Sequence, residues 1–462
     1  MEAQRLTLAL LLWLVCGFGI VLLRRQSPLH PMLLALLTTG LIGSFYPVLS
    51  IWIETRSWRH AVYAGEDLIV RVQLEFLVYA LALLSGFMLF RGRAGRAAET
   101  QKARTAPNED YLRHRERLVP FGLVAAGLAL YGLYVAQVGV ASLMDRDNFA
   151  LKYQVSDGLG PLVLGLHLAI VGCFWAEASE QLGRRTKRLY RCIALLIVVW
   201  SVAVIAQRTN AVIVALGYAV IYCRRNDLQL RRVRPTLVVG LLVLYASVEA
   251  FSIVRATWKD GLDQSLDALV ALTDAQESAL GTLIGGSELS HPVFTSIELM
   301  QMEEAGALGG SSYLAAPATL IPKALAPNRP NTLALDFVAK NYPAMAARGG
   351  GAAFSHLAEA WWNFGALLGS ALLGVLAGLL HALWDRANAR RPWSLLAMLT
   401  PYFTSHIVIL HRYELATFLK QTLSVALPAL CVLIAAHLIW TGTGRTTRAV
   451  RARGPRAQGE PS

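Results

Sequence analysis

The chain has 462 residues, 55% of them hydrophobic and 16% charged, with a mean hydropathy of +0.46, which is too little polar surface to coat a soluble protein of this size. Its formal net charge of +13 would suit a nucleic-acid binder, but the basic residues fall in short clusters between apolar runs. The charge therefore reads as membrane orientation, and no nucleic-acid partner is expected. All five cysteines lie in or at the ends of apolar runs, offering neither a disulfide framework nor a zinc spacing.

About eleven apolar runs can be marked, over 6–23, 29–53, 68–90, 119–140, 159–176, 192–206, 211–223, 236–254, 364–384, 393–410 and 423–440. Each approaches the roughly 20 residues that a bilayer helix needs, whereas a barrel shows ~10-residue alternating segments. The expected fold is all-α: a polytopic bundle of about eleven transmembrane helices. The first run has Arg5 before it and no small-residue cleavage site before Arg24 and Arg25, so it reads as a retained span. Basic clusters recur at alternate loops, around Arg25, from Arg91 to Arg117, at Arg184 to Arg188, from Arg224 to Arg234, at Arg386 to Arg391 and in the tail after Arg445. The positive-inside rule makes these loops cytoplasmic, with the N-terminus outside and the C-terminus inside. Four regions result: residues 1–254 with helices 1 to 8 and a cytoplasmic linker at 91–118, a large external loop at 255–358 between helices 8 and 9, helices 9 to 11 over 359–440, and a basic cytoplasmic tail at 441–462.

Polar residues interrupt this pattern at few places. Arg71 and Glu75, four apart in the third run, read as a structural ion pair. Asp145 and Asp147 form a D-x-D pair in a short external loop, where solvated charge is the better reading than a metal cage; no metal or cofactor is expected. His167 and His406 are satisfied by helix neighbours. Arg208 heads a tight hairpin between two short spans, suited either to gripping a phosphate or to anchoring on lipid headgroups. The long external loop is the kind of segment that carries function. Its first part, 260–274, is amphipathic; Thr295 and Glu298 form a capping box for a helix through Glu304; Pro and Gly then punctuate it, among the cations Lys323, Arg329, Lys340 and Arg348.

Arg348 to Gly369 is the most informative stretch. Three glycines lead into a helix bearing Ser355, His356, Glu359 and Asn363, which continues into the apolar run 364–384. Spacings of three and four put His356, Glu359 and Asn363 on one face, so that an imidazole, a carboxylate and an amide converge on one ligand. Trp361 and Trp362 suit an interfacial belt better than sugar stacking, and Gly365, Gly369, Gly374 and Gly378 suit close helix packing. His411, Arg412 and Glu414 end the tenth run at the depth of Arg208, Arg255 and Glu359.

The loop motif Pro322-Lys323 with Pro327 and Pro330, the A-E-x-x-x-N-F-G sequence from Ala358 to Gly365, the arginines Arg208 and Arg255, and the R-x-x-F-x-x-x-Y pattern of Arg146, Phe149 and Tyr153 together resemble the bacterial O-antigen polymerases, or Wzy-type oligosaccharide repeat unit polymerases, over 119–423. The resemblance implies a multi-pass protein of the bacterial inner membrane that polymerises glycan on the periplasmic side. Its substrate would be an undecaprenyl-pyrophosphate-linked oligosaccharide within membrane lipid, and a chain-length regulator is a candidate partner. Glu359 or His356 would take the acceptor's proton, Arg208 and Arg255 would neutralise the pyrophosphate, and Arg146, Lys323, Arg329, Asn363 and Arg412 would bind substrate. An O-antigen ligase and a lipid-linked oligosaccharide flippase are the alternatives; the sequence has no repeats of the kind alternating-access transporters show.

Overall fold

The computed structural model describes residues 1–52, 66–91, 109–144, 159–204, 209–232, 287, 289–321, 326–347, 353–390, 395–408 and 410–452. Regular structure among the described residues is entirely helical. Among the described residues six helices are long and apolar enough to cross a membrane: α1 (Glu2–Leu23), α2 (Pro31–Leu49), α3 (Glu66–Arg91), and the apolar parts of α4 (Glu109–Val138), of α15 (Leu368–Arg390) and of α17 (Leu415–Ala452). Between them lie α5 (Val140–Met144), α6 (Gly160–Val163), α7 (Gly165–Ala178), α8 (Arg184–Ala203) and α9 (Thr209–Arg225). After these come α10 (His291–Gln301), α11 (Ser311–Ala315), α12 (Leu333–Asn341), α13 (Pro343–Ala347), α14 (His356–Phe364) and α16 (Leu395–Ile407). Ten of the eleven apolar runs thus fall on helices; the run at 236–254 lies outside the described residues, as does the amphipathic stretch 260–274.

Among the described residues two apolar cores are the largest. One gathers α4, α7, α8, α9, α16 and α17 around residues such as Leu123, Phe174 and Tyr402; the other joins α1, α2, α3, α10 and α15 around Phe76, Leu83 and Leu36. Between α3 and α15 the approach is very close, because glycines line it. A Cβ on Gly374 would lie 2.6 Å from the Tyr79 carbonyl oxygen, and one on Gly378 would lie 2.3 Å from that of Leu83. Gly369 is equally tight, against the Ala360 carbonyl at 2.3 Å. Missing side chains let backbones touch where no hydrophobic force between helices is available in lipid. The pairings of Tyr79 with Gly374 and of Leu83 with Gly378 make α3 and α15 parallel.

The helix at 356 does not run on into the membrane. Gly365 adopts φ +80° and Leu367 φ +59°, ending α14 at Phe364 and starting α15 afresh. A left-handed conformation at Gly365 suits a residue without Cβ, whereas the sequence periodicity alone hides such a break. Glu75 stabilises the new start: its Oε1 accepts the Leu367 N–H at 2.8 Å and its Oε2 accepts the Ser370 hydroxyl. The expected Arg71–Glu75 pair is therefore replaced by a carboxylate at a helix N-terminus, where the donors are orphaned and the dipole is positive; Arg71 is exposed.

The loop region is not a separate layer. Phe294 of α10 meets Tyr46 edge-on at 4.5 Å, and Val293 and Ile297 belong to the α1–α3 core. The expected capping box at Thr295 and Glu298 is absent, since α10 begins at His291 and both residues lie within it. Thr295 instead donates to the Ala353 carbonyl at 2.6 Å, tying α10 to the segment before α14.

Basic helix ends collect at the opposite end from α14. Arg191 forks onto Glu177 with two bonds of 2.8 Å and Arg225 adds a third at 3.0 Å, joining α7, α8 and α9. A test of the small-residue seam is Gly378→Val: forcing a branched side chain against the Leu83 carbonyl should cost about 1–3 kcal/mol or more. Gly132→Ala, with nothing within 4 Å of the added carbon, should be neutral or slightly stabilising. Thermal unfolding in one detergent compares them, and equal loss from both would remove the seam from the account.

Candidate functional site

The site grows from the start of α14. Ser355 is its N-cap, the hydroxyl accepting the Ala358 N–H at 3.0 Å, and this sets the entry angle of the helix. One turn on, the Glu359 side chain reaches the start of α17, where its Oε2 accepts the Leu415 N–H at 2.6 Å. Its Oε1 accepts the Ser312 hydroxyl at 2.8 Å, from α11 in the loop region. Asn363 donates through Nδ2 to both Ser312 Oγ and the Glu359 carbonyl, each at 2.7 Å. Three chain segments, about 50 residues apart in sequence, therefore meet on one carboxylate that is 1% exposed.

Burial dominates the electrostatics. Desolvation pushes the Glu359 carboxyl up to about 7, the Leu415 N–H and the Ser312 hydroxyl pull it partly back, and nearby Glu414 pushes it further up. Glu414, also 1% exposed, is raised by the same burial while accepting the Ala334 N–H at 2.7 Å and the Thr417 hydroxyl at 2.9 Å. The charge of Glu414 thus adds a minor push to the burial that resists ionisation of Glu359. Around them lie polar atoms with no hydrogen-bond partner among the described residues: Asn363 Oδ1 and the Tyr313 hydroxyl. The Tyr313 ring stacks on Phe364 at 5.6 Å, and Glu359 contributes to holding its phenol above the usual range, after burial. A buried polar atom without a partner costs about 1–3 kcal/mol, a deficit that a hydroxyl-bearing ligand would relieve.

His356 does not share the ligand face expected of it. Its ring lies 4.6 Å from that of His411 and 5.3 Å from Tyr79, on the side of α14 toward α3. His411 meets Thr39 at 3.0 Å and is held well below the ordinary imidazole range, by burial first and by His356 second. The convergence read from the helical spacing is thus split: Glu359 and Asn363 gather around Ser312, and His356 joins an aromatic cluster. Trp361 and Trp362 likewise are neither belt nor stacking platform, being buried against Phe337, Phe354 and Leu299.

Of the predicted cations, Arg412 lies on the turn Leu410–Arg412, which packs against α14 and α10 three residues before Leu415. Arg329 donates to the Thr319 carbonyl at 2.5 Å and so holds the 3-10 turn Ala316–Leu320, which continues directly from the helix carrying Ser312. Arg146, Arg208, Arg255 and Lys323 lie outside the described residues. Sequence reasoning missed Ser312 and Tyr313, and took Glu414 only as a residue at the right depth. The available signal was Gly309-Gly310 before Ser311-Ser312, two residues of positive φ (+52° and +88°) that turn the chain into α11.

The molecule is thus a helical protein with six membrane-length spans among the described residues, in which short helices close a buried acid–hydroxyl–amide cluster at one end of the bundle. A family model for O-antigen polysaccharide polymerase Wzy matches residues 4–443, nearly the whole chain, and the protein belongs to that family. The match takes in the first three spans and most of the last helix, beyond the 119–423 that the sequence motifs cover. Neither a curated protein nor a solved structure matches the chain. Family membership makes it a glycosyltransferase-like polysaccharide polymerase acting on lipid-linked oligosaccharide units in the inner membrane.

The raised carboxyl has a measurable consequence for stability. Below the unfolded value of 4.5, Glu359 is protonated in both states; as pH rises toward 7 the unfolded chain ionises while the folded protein still holds the proton, so stability is lost across that window. Glu359→Gln removes this dependence. The melting temperature of the glutamine variant relative to wild type should therefore climb between pH 4.5 and 7.5, whatever the constant offset from altered hydrogen bonds. A pH-independent difference would show that Glu359 titrates normally.

Proposed function

We propose that the protein transfers a glycan from undecaprenyl pyrophosphate onto the non-reducing end of a second lipid-linked repeat unit, on the periplasmic side of the membrane and without a metal. In this step the bond between the sugar's anomeric carbon and the pyrophosphate oxygen breaks, and a bond from the same carbon to the acceptor oxygen forms. The acceptor's hydroxyl proton goes to Glu359, and the pyrophosphate departs as an anion. The observation that carries the reading is the Glu359 carboxyl, buried and raised to about 7, where a general base is matched to neutral working conditions. Asn363 Oδ1 and the Tyr313 hydroxyl supply unmet hydrogen-bonding capacity beside it, as a sugar hydroxyl would require.

Pyrophosphate needs neutralisation rather than protonation, and arginine supplies it best because its planar fork meets two phosphate oxygens at once. Arg208 and Arg255 are assigned that role from the family resemblance, with Arg412, Arg329, Lys323 and Arg146 binding the remainder of the substrate. Arg208→Lys and Arg255→Lys keep the charge but lose the fork, so each should lose most polymerisation while inserting normally. Near-normal glycan ladders from both variants would reduce them to headgroup anchors.

Glu359 also fastens α14 to α17, so its test must separate structure from chemistry. Glu359→Gln retains the size and one acceptor oxygen, and should lower turnover by roughly 10²- to 10⁴-fold at matched membrane abundance. In wild type, kcat/KM should rise with pH and level off above about 7. Single-repeat glycan from a normally abundant variant supports the base; full-length ladders exclude it.

A further inference from the structure

A second site lies at the basic end of the bundle, the length of α15 away from Glu359, roughly 35 Å for its 23 residues. There a cavity of about 850 Å³ opens between the ends of α1, α3, α9 and α15 and the start of α2. Arg25, Arg91, Arg224 and Arg386 line it, against Asp227 and Asp385, leaving two positive charges unbalanced. Asp385 is already engaged: His30 Nδ1 accepts the Met32 N–H at 3.2 Å, which leaves the ring proton on Nε2, facing Asp385 at 3.0 Å. The arginines are less well served. Arg386 Nε is buried with no hydrogen-bond partner, and the Arg91 guanidinium lies over the Phe87 ring at 5.3 Å.

The remaining wall is apolar and continues outward. Leu22 and Met88 line the cavity and are 37% and 45% exposed on the membrane-spanning helices α1 and α3. An occupant would thus present an anion to the arginines and hydrocarbon to the helix flanks. A free phosphate compound has no use for the second feature. We propose that this cavity binds the phosphate headgroup of an anionic phospholipid, its acyl chain lying along Leu22 and Met88. Because the same helix ends carry the basic clusters that the positive-inside rule places in the cytoplasm, the lipid would come from the cytoplasmic leaflet, and it would clamp α15, the helix that follows the catalytic segment, from its far end.

Native mass spectrometry of the full chain in detergent, titrated with dioleoylphosphatidylglycerol, tests this. Wild type should retain one lipid, and Arg224→Gln/Arg386→Gln should weaken its binding by about tenfold or more. Arg184→Gln/Arg188→Gln removes equal charge from the start of α8 and should change binding by less than about twofold. Gln26→Glu keeps all four arginines but sets a carboxylate in the cavity, and should also weaken binding, so the result does not depend on the arginine variant folding well. Equal weakening by both double variants would mean general surface attraction and overturn the site. Displacement of the lipid by millimolar inorganic phosphate would assign the cavity to a soluble phosphate compound and overturn the lipid.

Discussion

The Glu359 carboxylate accepting the Leu415 N–H is the contact on which the α14 end of the molecule depends. It joins the first turn of α14 to the first turn of α17, and through Ser312 it fixes the loop helices over both. A carboxylate at a helix N-terminus gains from orphaned donors and from the dipole, which offsets part of the desolvation of near-complete burial. The offset is incomplete, and the residue is left with its carboxyl raised to about 7, as the base proposed for the acceptor hydroxyl would require. One placement gives both a structural tie and the proton affinity that the proposed mechanism uses.

Glu75 repeats the device one helix deeper. From within α3 it meets the start of α15, and the glycine seam below it lets the two helices run parallel in close contact. Acidic side chains at one end of the bundle thus hold helix starts, while at the other end arginines gather at helix ends and at the Glu177 hub. This polarity gives physical content to the charge pattern: Arg25, Arg91, Arg224 and Arg386, far apart in the sequence, are brought together in space.

Much of this is legible in the sequence. Ten apolar runs become helices because a bilayer demands long apolar segments, and Glu359 and Asn363 are placed together because i and i+4 share a helix face. What escaped depended on contacts distant in sequence. Ser312 is polar loop sequence until Glu359 meets it; Glu75 looks like half of a local ion pair until α15 starts beside it; and Trp361 and Trp362 look interfacial until Phe337 and Phe354 bury them. The break at Gly365 was hidden because the helical pattern and the apolar run meet there without a gap, and it is the positive φ angles at Gly365 and Leu367 that separate them. His356 fell on the expected helix but turned to His411, since helical spacing fixes the side of a helix and not what packs there.

The most direct test of the account is whether Glu359 carries a proton near neutrality. Infrared difference spectra of the protein between pH 5.5 and 8.5 report protonated carboxyl groups, and subtraction of the Glu359→Gln spectrum isolates this one from Glu414. The account predicts a buried carboxylic acid band that disappears with a midpoint near 7 and is absent from the glutamine variant. A carboxylate already ionised at pH 5.5 would contradict it.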